Sequence, residues 1–289
     1  MTVLTVPPRR RSRRGGATDW RRPTGLNRAG SILLILVYGF PLYWLIITSL
    51  KSDGDILRHP AALISSISFD AYHGVLGSDL FIAMGNSFII AAGTTVLTGA
   101  LAVLAAHALS RVRGPAPSLL LGVLILLQMV PPAAAVIPLY RILGGWHLLN
   151  SLTGVVLADT AGLLPFAIML LRPFFLAIPQ EIEEAAAVDG AGYLRTFRSI
   201  VLPMVHNGLT TVATLVFMIA WGDFLYSITF LNSPTKYPLT ALLAQQLSQT
   251  AISFNRLMAI SVLGALPIVV LFLFTARRLT EGLALGTSK

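Results

Sequence analysis

Cysteine is absent from the 289-residue chain, which excludes disulfides, thiolate zinc sites and thiol catalysis. Charge is scarce as well: 11% of residues are charged, against about 25% in ordinary soluble domains. No Gly-x-x-x-x-Gly-Lys-[Ser/Thr] occurs, so the chain has no phosphate-cradling loop of its own. There is no His-Glu-x-x-His, and His59, His73, His107, His147 and His206 fall at no metal-binding spacing. The Gly-x-Ser-x-Gly signature of serine hydrolases is missing too.

Apolar residues are what the chain has in abundance, at 55%. A water-soluble fold of this length has too few polar side chains left to cover such a content. A soluble enzyme, a disordered chain and a fibrous repeat are thereby excluded, and the expected class is an all-α membrane protein. A helix crosses the hydrocarbon with about 20 apolar residues. Six stretches qualify: 31–50, 81–109, 118–140, 152–171, 209–231 and 257–276. The third is interrupted by Pro131, Pro132 and Pro138, so a kink or break is expected there. No period-2 stretch suggests a barrel.

The net charge of +9 is unevenly placed. Eight arginines stand in the first 28 residues against the single acid Asp19. A basic tail directly before an apolar run signals a cytoplasmic end, and it can also hold anionic headgroups. That accounts for the tail better than nucleic-acid binding does. The run at 31–50 is too long for a signal peptide's apolar region and no small-residue cleavage site follows, so it is expected to be retained. Arg111, Arg113, Arg277 and Arg278 mark further basic ends, whereas 51–80 sets Lys51 and Arg58 against Asp53, Asp55, Asp70 and Asp79. Six transmembrane helices with both termini cytoplasmic satisfy this bias. The domain expectation is a basic tail over 1–28 and one membrane domain over 29–289.

This topology puts 172–208 in the cytoplasm. Pro179 suits a helix start. Glu181, Glu183 and Glu184 follow in or near the first turn, where the helix dipole favours acids. Ala185 to Val188 continue the helix, and Gly190-Ala191-Gly192 breaks it. A second short helix is expected over 193–201, closed by Pro203. The product is a helix–turn–helix protruding from the membrane. Capping by itself explains the glutamates, and the chemistry of the segment does not say what it meets.

The order Glu184-Ala185-Ala186-Ala187-Val188-Asp189-Gly190-Ala191, then Phe197, Ile200, Leu202 and Pro203, resembles the EAA loop of permease subunits in binding-protein-dependent ABC importers. The likeness extends to Arg172, Phe174, Ile178 and Pro179, and to Trp221-Gly222-Asp223-Phe224, where the family commonly has Asn in place of Gly222. It includes Asn86-Ser87, Pro138-Leu139-Tyr140 and Leu149-Asn150-Ser151. It covers about residues 30–289. The ending Gly282-Leu283-Ala284-Leu285-Gly286-Thr287-Ser288-Lys289 is similar to that of the smaller, six-span maltose-type carbohydrate permease.

The resemblance implies a sugar or oligosaccharide importer in a bacterial inner membrane. The 179–203 segment would be the coupling loop that fits a groove in a cytoplasmic ATPase. Glu184 would pair with a donor on that ATPase, and Ala185 and Ala186 would let backbones approach. Asp189 would belong to the same coupling set, Gly190 would permit the sharp turn, and Leu202 and Pro203 would anchor the re-entry into the membrane. The implied partners are a second, different permease, two ATP-binding subunits and an extracytoplasmic solute-binding protein. ATP and Mg²⁺ would be bound by the ATPase subunits, leaving this chain with no cofactor and no catalytic residue. Other solutes remain open: a polyamine, a peptide or a glycerophosphodiester. An ion-coupled secondary transporter is the alternative from another class.

Sugar sites need planar polar groups for hydroxyls and aromatic faces for the ring. Asn86, Gln128, Trp221 and Tyr226 are of the right types, and Asp223 is a candidate lining group. A lone Asn, Gln or Trp in a span more often packs helix to helix. Asp159 and Asp223 lie in or near spans, where acids are costly. They raise an intramembrane aspartyl protease, which would require the two carboxylates to meet, although interfacial or packing roles suit them better.

Overall fold

The computed structural model describes residues 25–62, 67–247 and 253–287, with side chains for 28–62, 67–77, 79–247 and 253–276. Most of the arginine-rich tail, the side chains of Arg277 and Arg278, and those of the 282–289 ending lie outside the described residues. Every regular element among the described residues is helical. The chain divides between Leu45 and Ile46 into two units. The described part of the first is the greater part of helix α1 (Gly25–Ser49), so the expected boundary at 28/29 falls inside a helix.

The second unit holds the remainder. Two short helices, α2 (Asp53–Arg58) and α3 (Asp70–Val75), precede α4 (Ser78–Arg111). Then come α5 (Ala116–Gln128), α6 (Pro132–Gly145) and α7 (Leu152–Leu176). The polar segment forms α8 (Gln180–Val188), α9 (Tyr193–Thr196), a π-helical turn (Phe197–Val201) and α10 (Leu202–Met204). It is followed by α11 (His206–Trp221), α12 (Leu225–Phe230), α13 (Leu239–Leu247) and α14 (Phe254–Thr287).

Among the described residues four helices, α1, α4, α7 and α14, are long and apolar enough to cross a membrane alone, and the spans number up to six if each of two bent pairs is one span. The first pair is α5 with α6, bent by 95°. Pro131 and Pro132 account for the break, because the residue before a proline is driven out of the helical region; Pro131 is extended, with ψ 135°. The second pair is Tyr193–Met204 with α11, bent by 74°. The fifth apolar stretch also ends sooner than its hydropathy suggests. It stops at Trp221, and α12 restarts after a three-residue break.

Helices α4 and α7 run side by side in the same direction. Gly93 meets Val156, Leu109 meets Arg172 and Arg111 meets Phe175, at a constant offset of 63–64 residues. Their facing side chains, with those of α11 and the π turn, build the main apolar core. It includes Ala102, Ala106, Leu171, Phe175, Val201 and Val212. Elsewhere large apolar groups face outward: Val96 and Leu119 are each 71% exposed and Phe274 80%. A water-soluble surface does not carry so much apolar area; hydrocarbon is the solvent that fits it.

A close joint lies at Gly208, at the start of α11. A Cβ there would run into the ring of Phe174. Gly208→Ala should therefore overpack this joint at a cost of about 1–3 kcal/mol. The expected result is a lowered thermal unfolding midpoint of the purified permease. Gly222→Ala, whose Cβ would make only ordinary contacts, should leave the midpoint unchanged.

Candidate functional site

The helix–turn–helix is present at the expected place. Pro179, extended at ψ 139°, stands just before the first turn of α8, and Glu181 and Glu183 occupy that turn. At the other end Gly190 adopts φ +79°, a left-handed conformation that glycine enters without penalty. The Ala191 N–H donates to the Ala186 carbonyl at 2.9 Å and the Gly190 N–H to that of Ala187 at 3.0 Å. This pair of bonds is a Schellman cap, which satisfies carbonyls the helix leaves over. Gly190 therefore fixes where α8 stops and how α9 departs.

The two alanines of the motif do not share a face. Ala186 is buried and Ala185 is exposed, because neighbours on a helix point about 100° apart. Glu184 and Asp189 are exposed. Leu202 packs against the main core, while Pro203 is exposed. Beside the acids stand apolar side chains open to solvent: Val188 is 88% exposed, Leu194 74% and Tyr193 72%. Apolar groups at such exposure on a polar segment are suited to contact with another protein.

Sequence points to Glu184 as the acid of interest and gives its neighbour only a capping role. In the fold Glu183 is the engaged one. Arg111, the last residue of α4, donates from Nε to its Oε1 at 2.7 Å, and a terminal guanidinium nitrogen lies 2.6 Å from the same oxygen. The other terminal nitrogen donates to the Phe175 carbonyl at 3.1 Å. Arg113 donates to Gln180 Oε1 at 2.8 Å. His107, one turn before Arg111, sits among the rings of Phe197, Phe175 and Tyr193 at 5.0, 5.4 and 6.1 Å. His107, Arg111, Arg113, Gln180, Glu183 and Tyr193 border an open cleft of about 290 Å³ that Glu184 also lines. No local pattern announces Arg111 with Glu183, because 72 residues separate them.

Of the candidate pathway residues, Gln128 and Tyr226 both come up to Gly162 of α7. Asn86 donates its amide to the Thr235 and Tyr237 carbonyls at 3.0 and 3.1 Å. Trp221 donates to the Gly264 carbonyl at 3.2 Å and stacks on Phe217. Tyr226 is buried and stacks on Phe230 at 5.5 Å. Gln128 is exposed and reaches the Gly162 carbonyl at 3.2 Å. Asp223 accepts from the N–H groups of Tyr226 and Ser227 and from the Ser227 hydroxyl, at 3.3, 2.9 and 2.8 Å. That is a helix cap for α12, which the sequence does not suggest. Asp159 is buried with one oxygen lacking a hydrogen-bond partner.

The cap has a measurable consequence. Asp223→Ala should lower the unfolding midpoint through loss of about 1 kcal/mol, and Asp223→Asn should lose less. Solute KM should stay unchanged in both variants, as uptake kinetics will reveal. A raised KM at unaltered stability would instead make Asp223 a pathway residue.

The chain has clear relatives. The family model described as "Binding-protein-dependent transport system inner membrane component" matches residues 98–281. The trehalose transport system permease protein SugB of Mycobacterium tuberculosis is 34% identical, over 90% of this chain and 96% of its own. The sulfoquinovosyl glycerol transport system permease protein SmoH of Agrobacterium fabrum is 31% identical, over 90% and 92%. The diacetylchitobiose uptake system permease protein NgcG of Streptomyces coelicolor is 29% identical, over 95% and 92%. Among solved structures, a chain of a bacterial ABC transporter involved in alginate import superposes with a TM-score of 0.74 at 19% identity. The match covers 88% of this chain and 98% of that one. A chain of the MetNI methionine ABC transporter gives 0.53 at 17% identity, over 73% and 97%. Up to six apolar spans among the described residues, a capped helix pair after α7, and a family match across most of the membrane domain agree: the chain belongs to the inner membrane components of binding-protein-dependent transport systems.

Proposed function

We propose that this permease forms half of the pathway by which an ATP-driven importer takes up a sugar or oligosaccharide. The observation that carries the reading is the protruding α8–α10 unit, with α8 bounded by Pro179 and Gly190 and with Glu184, Asp189, Val188, Tyr193 and Leu194 exposed. A cytoplasmic ATPase subunit would dock there and take the exposed apolar groups into a groove. Arg111, Arg113, Arg195 and Arg198 gather at this end of the helices, which supports placing it, and both termini, in the cytoplasm.

ATP and Mg²⁺ would bind in two partner ATPase subunits, and this chain would do no catalysis. Closure of those subunits would move the α8–α10 lever as a rigid body and switch the spans between outward and inward access. A second, different permease would complete the pathway, and an extracytoplasmic binding protein would deliver solute. The sugar class rests on relatives named for trehalose, diacetylchitobiose and sulfoquinovosyl glycerol. Of the candidate pathway residues, Gln128 is the exposed one and the best placed to meet solute.

A tagged pull-down in mild detergent tests the docking surface. The parent chain should carry an ATPase subunit with it. The double variant Glu184→Lys with Gly190→Pro should release that subunit, since proline cannot take a φ of +79°. Retention of the ATPase by the variant would move docking elsewhere. Uptake should survive an ionophore while ATP is present; collapse would favour an ion-coupled transporter. Ligand screening of the partner binding protein decides between sugars and a polyamine, peptide or glycerophosphodiester.

A further inference from the structure

Helix α4 differs from the other long helices. Of the four helices with 25 residues or more, α1 holds Pro41, α7 holds Pro165 and Pro173, and α14 holds Pro267, whereas α4 has no internal proline. Sharp helix bends occur chiefly at proline, so α4 is the stiff member of the set. Its 34 residues span about 50 Å at 1.5 Å per residue, well beyond the roughly 30 Å hydrocarbon layer.

Both ends of this stiff helix are held by polar side chains. At one end His107 and Arg111, four residues apart, face the same carboxylate: Glu183 lies 3.9 Å from His107 Nε2 and 2.7 Å from Arg111 Nε. The same turn of α4 contacts the second arm of the lever, where His107 meets the rings of Tyr193 and Phe197. At the other end Asn86 donates to the Thr235 and Tyr237 carbonyls, and Ser87 accepts from the Leu239 N–H at 2.8 Å. Asn86 and Arg111 are about 37 Å apart along the helix axis. One proline-free helix thus joins the lever to the loop between α12 and α13 on the far side of the membrane domain.

We infer that α4 is a transmission strut, and that Arg111 with Glu183 at one end and Asn86 at the other are positioning residues coupling the lever to the 232–239 loop. This rests on the reading of 179–203 as the coupling unit. Arg111 is suited to the task because its planar guanidinium holds Glu183 and the last turn of α7 at once. When the lever moves, α4 follows it, and the far loop follows through Asn86. Signals run both ways, since coupling between two sites is reciprocal.

The test uses the complete transporter in proteoliposomes, with Arg111→Gln, Glu183→Gln, Asn86→Ala and the charge exchange Arg111→Glu with Glu183→Arg. ATPase subunits should still co-purify with all four. ATP hydrolysis without binding protein should persist, while its stimulation by loaded binding protein should fall about tenfold in each single variant. The charge exchange should recover part of it, since it restores the ion pair and loses the bond to the Phe175 carbonyl. Should Arg111→Gln fail to fold, Arg111→Lys carries the test, because it keeps the charge and loses the fork. Full stimulation in the single variants, or an exchange no better than they are, overturns the strut. Loss of the ATPase from Glu183→Gln overturns it too, by making Glu183 part of the docking face. Failure of the coupling-unit reading shows separately, as normal uptake in the Glu184→Lys, Gly190→Pro variant.

Discussion

The parallel packing of α4 against α7 constrains the rest of the membrane domain. Two neighbours that run the same way cannot be joined by a tight turn, so the chain between them must cross back over the domain. It does so as α5 and α6, with the bend at Pro131. The constant 63–64 offset also brings the ends of α4 and α7 to one level. Arg111 therefore meets the Phe175 carbonyl, and the first turn of α8 falls within reach of the same guanidinium. The anchor of the polar lever is thus a consequence of helix register.

Polar groups in an apolar solvent must be satisfied within the chain, and this explains much of the remaining detail. Thr95, Thr211, Thr214 and Thr229 bond carbonyls four residues back on their own helices. Asn150 takes a left-handed φ of 52°. Its side chain holds the 232–233 backbone and the Ser233 hydroxyl, while its carbonyl accepts from Lys236 at 2.6 Å. Together with Asn86 it turns the loop between α12 and α13 into a fixed piece of the domain. Stiffness at that loop and at the proposed lever would let small displacements travel, since packed elements move as bodies and do not deform continuously.

The lever is legible in the sequence because each of its parts is local. Acids after Pro179 mark a helix start, Gly190 marks a stop, and Pro203 marks the next boundary; all act within a few residues. Asn86, Trp221 and Asp223 stand out as candidates for solute because intramembrane polar side chains look alike in sequence. The fold gives each a bond that no local pattern announces: Asn86 and Trp221 bind carbonyls 43 or more residues away, and Asp223 caps a helix that a hydropathy run conceals. The break after Trp221 is hard to read for that reason, since 225–230 is still largely apolar.

Composition and local pattern suffice to place the chain in a membrane, to cross it as helices and to set a capped helix pair between the fourth and fifth apolar stretches. Those properties depend on neighbours in the chain, which act before any tertiary contact exists. Tertiary packing was needed to single out Glu183, beside the exposed Glu184 of the motif, as the acid clamped by Arg111, and to link the lever to the far loop through proline-free α4. Such pairings are set by helix register across 72 and 149 residues of chain, a distance over which no sequence period persists.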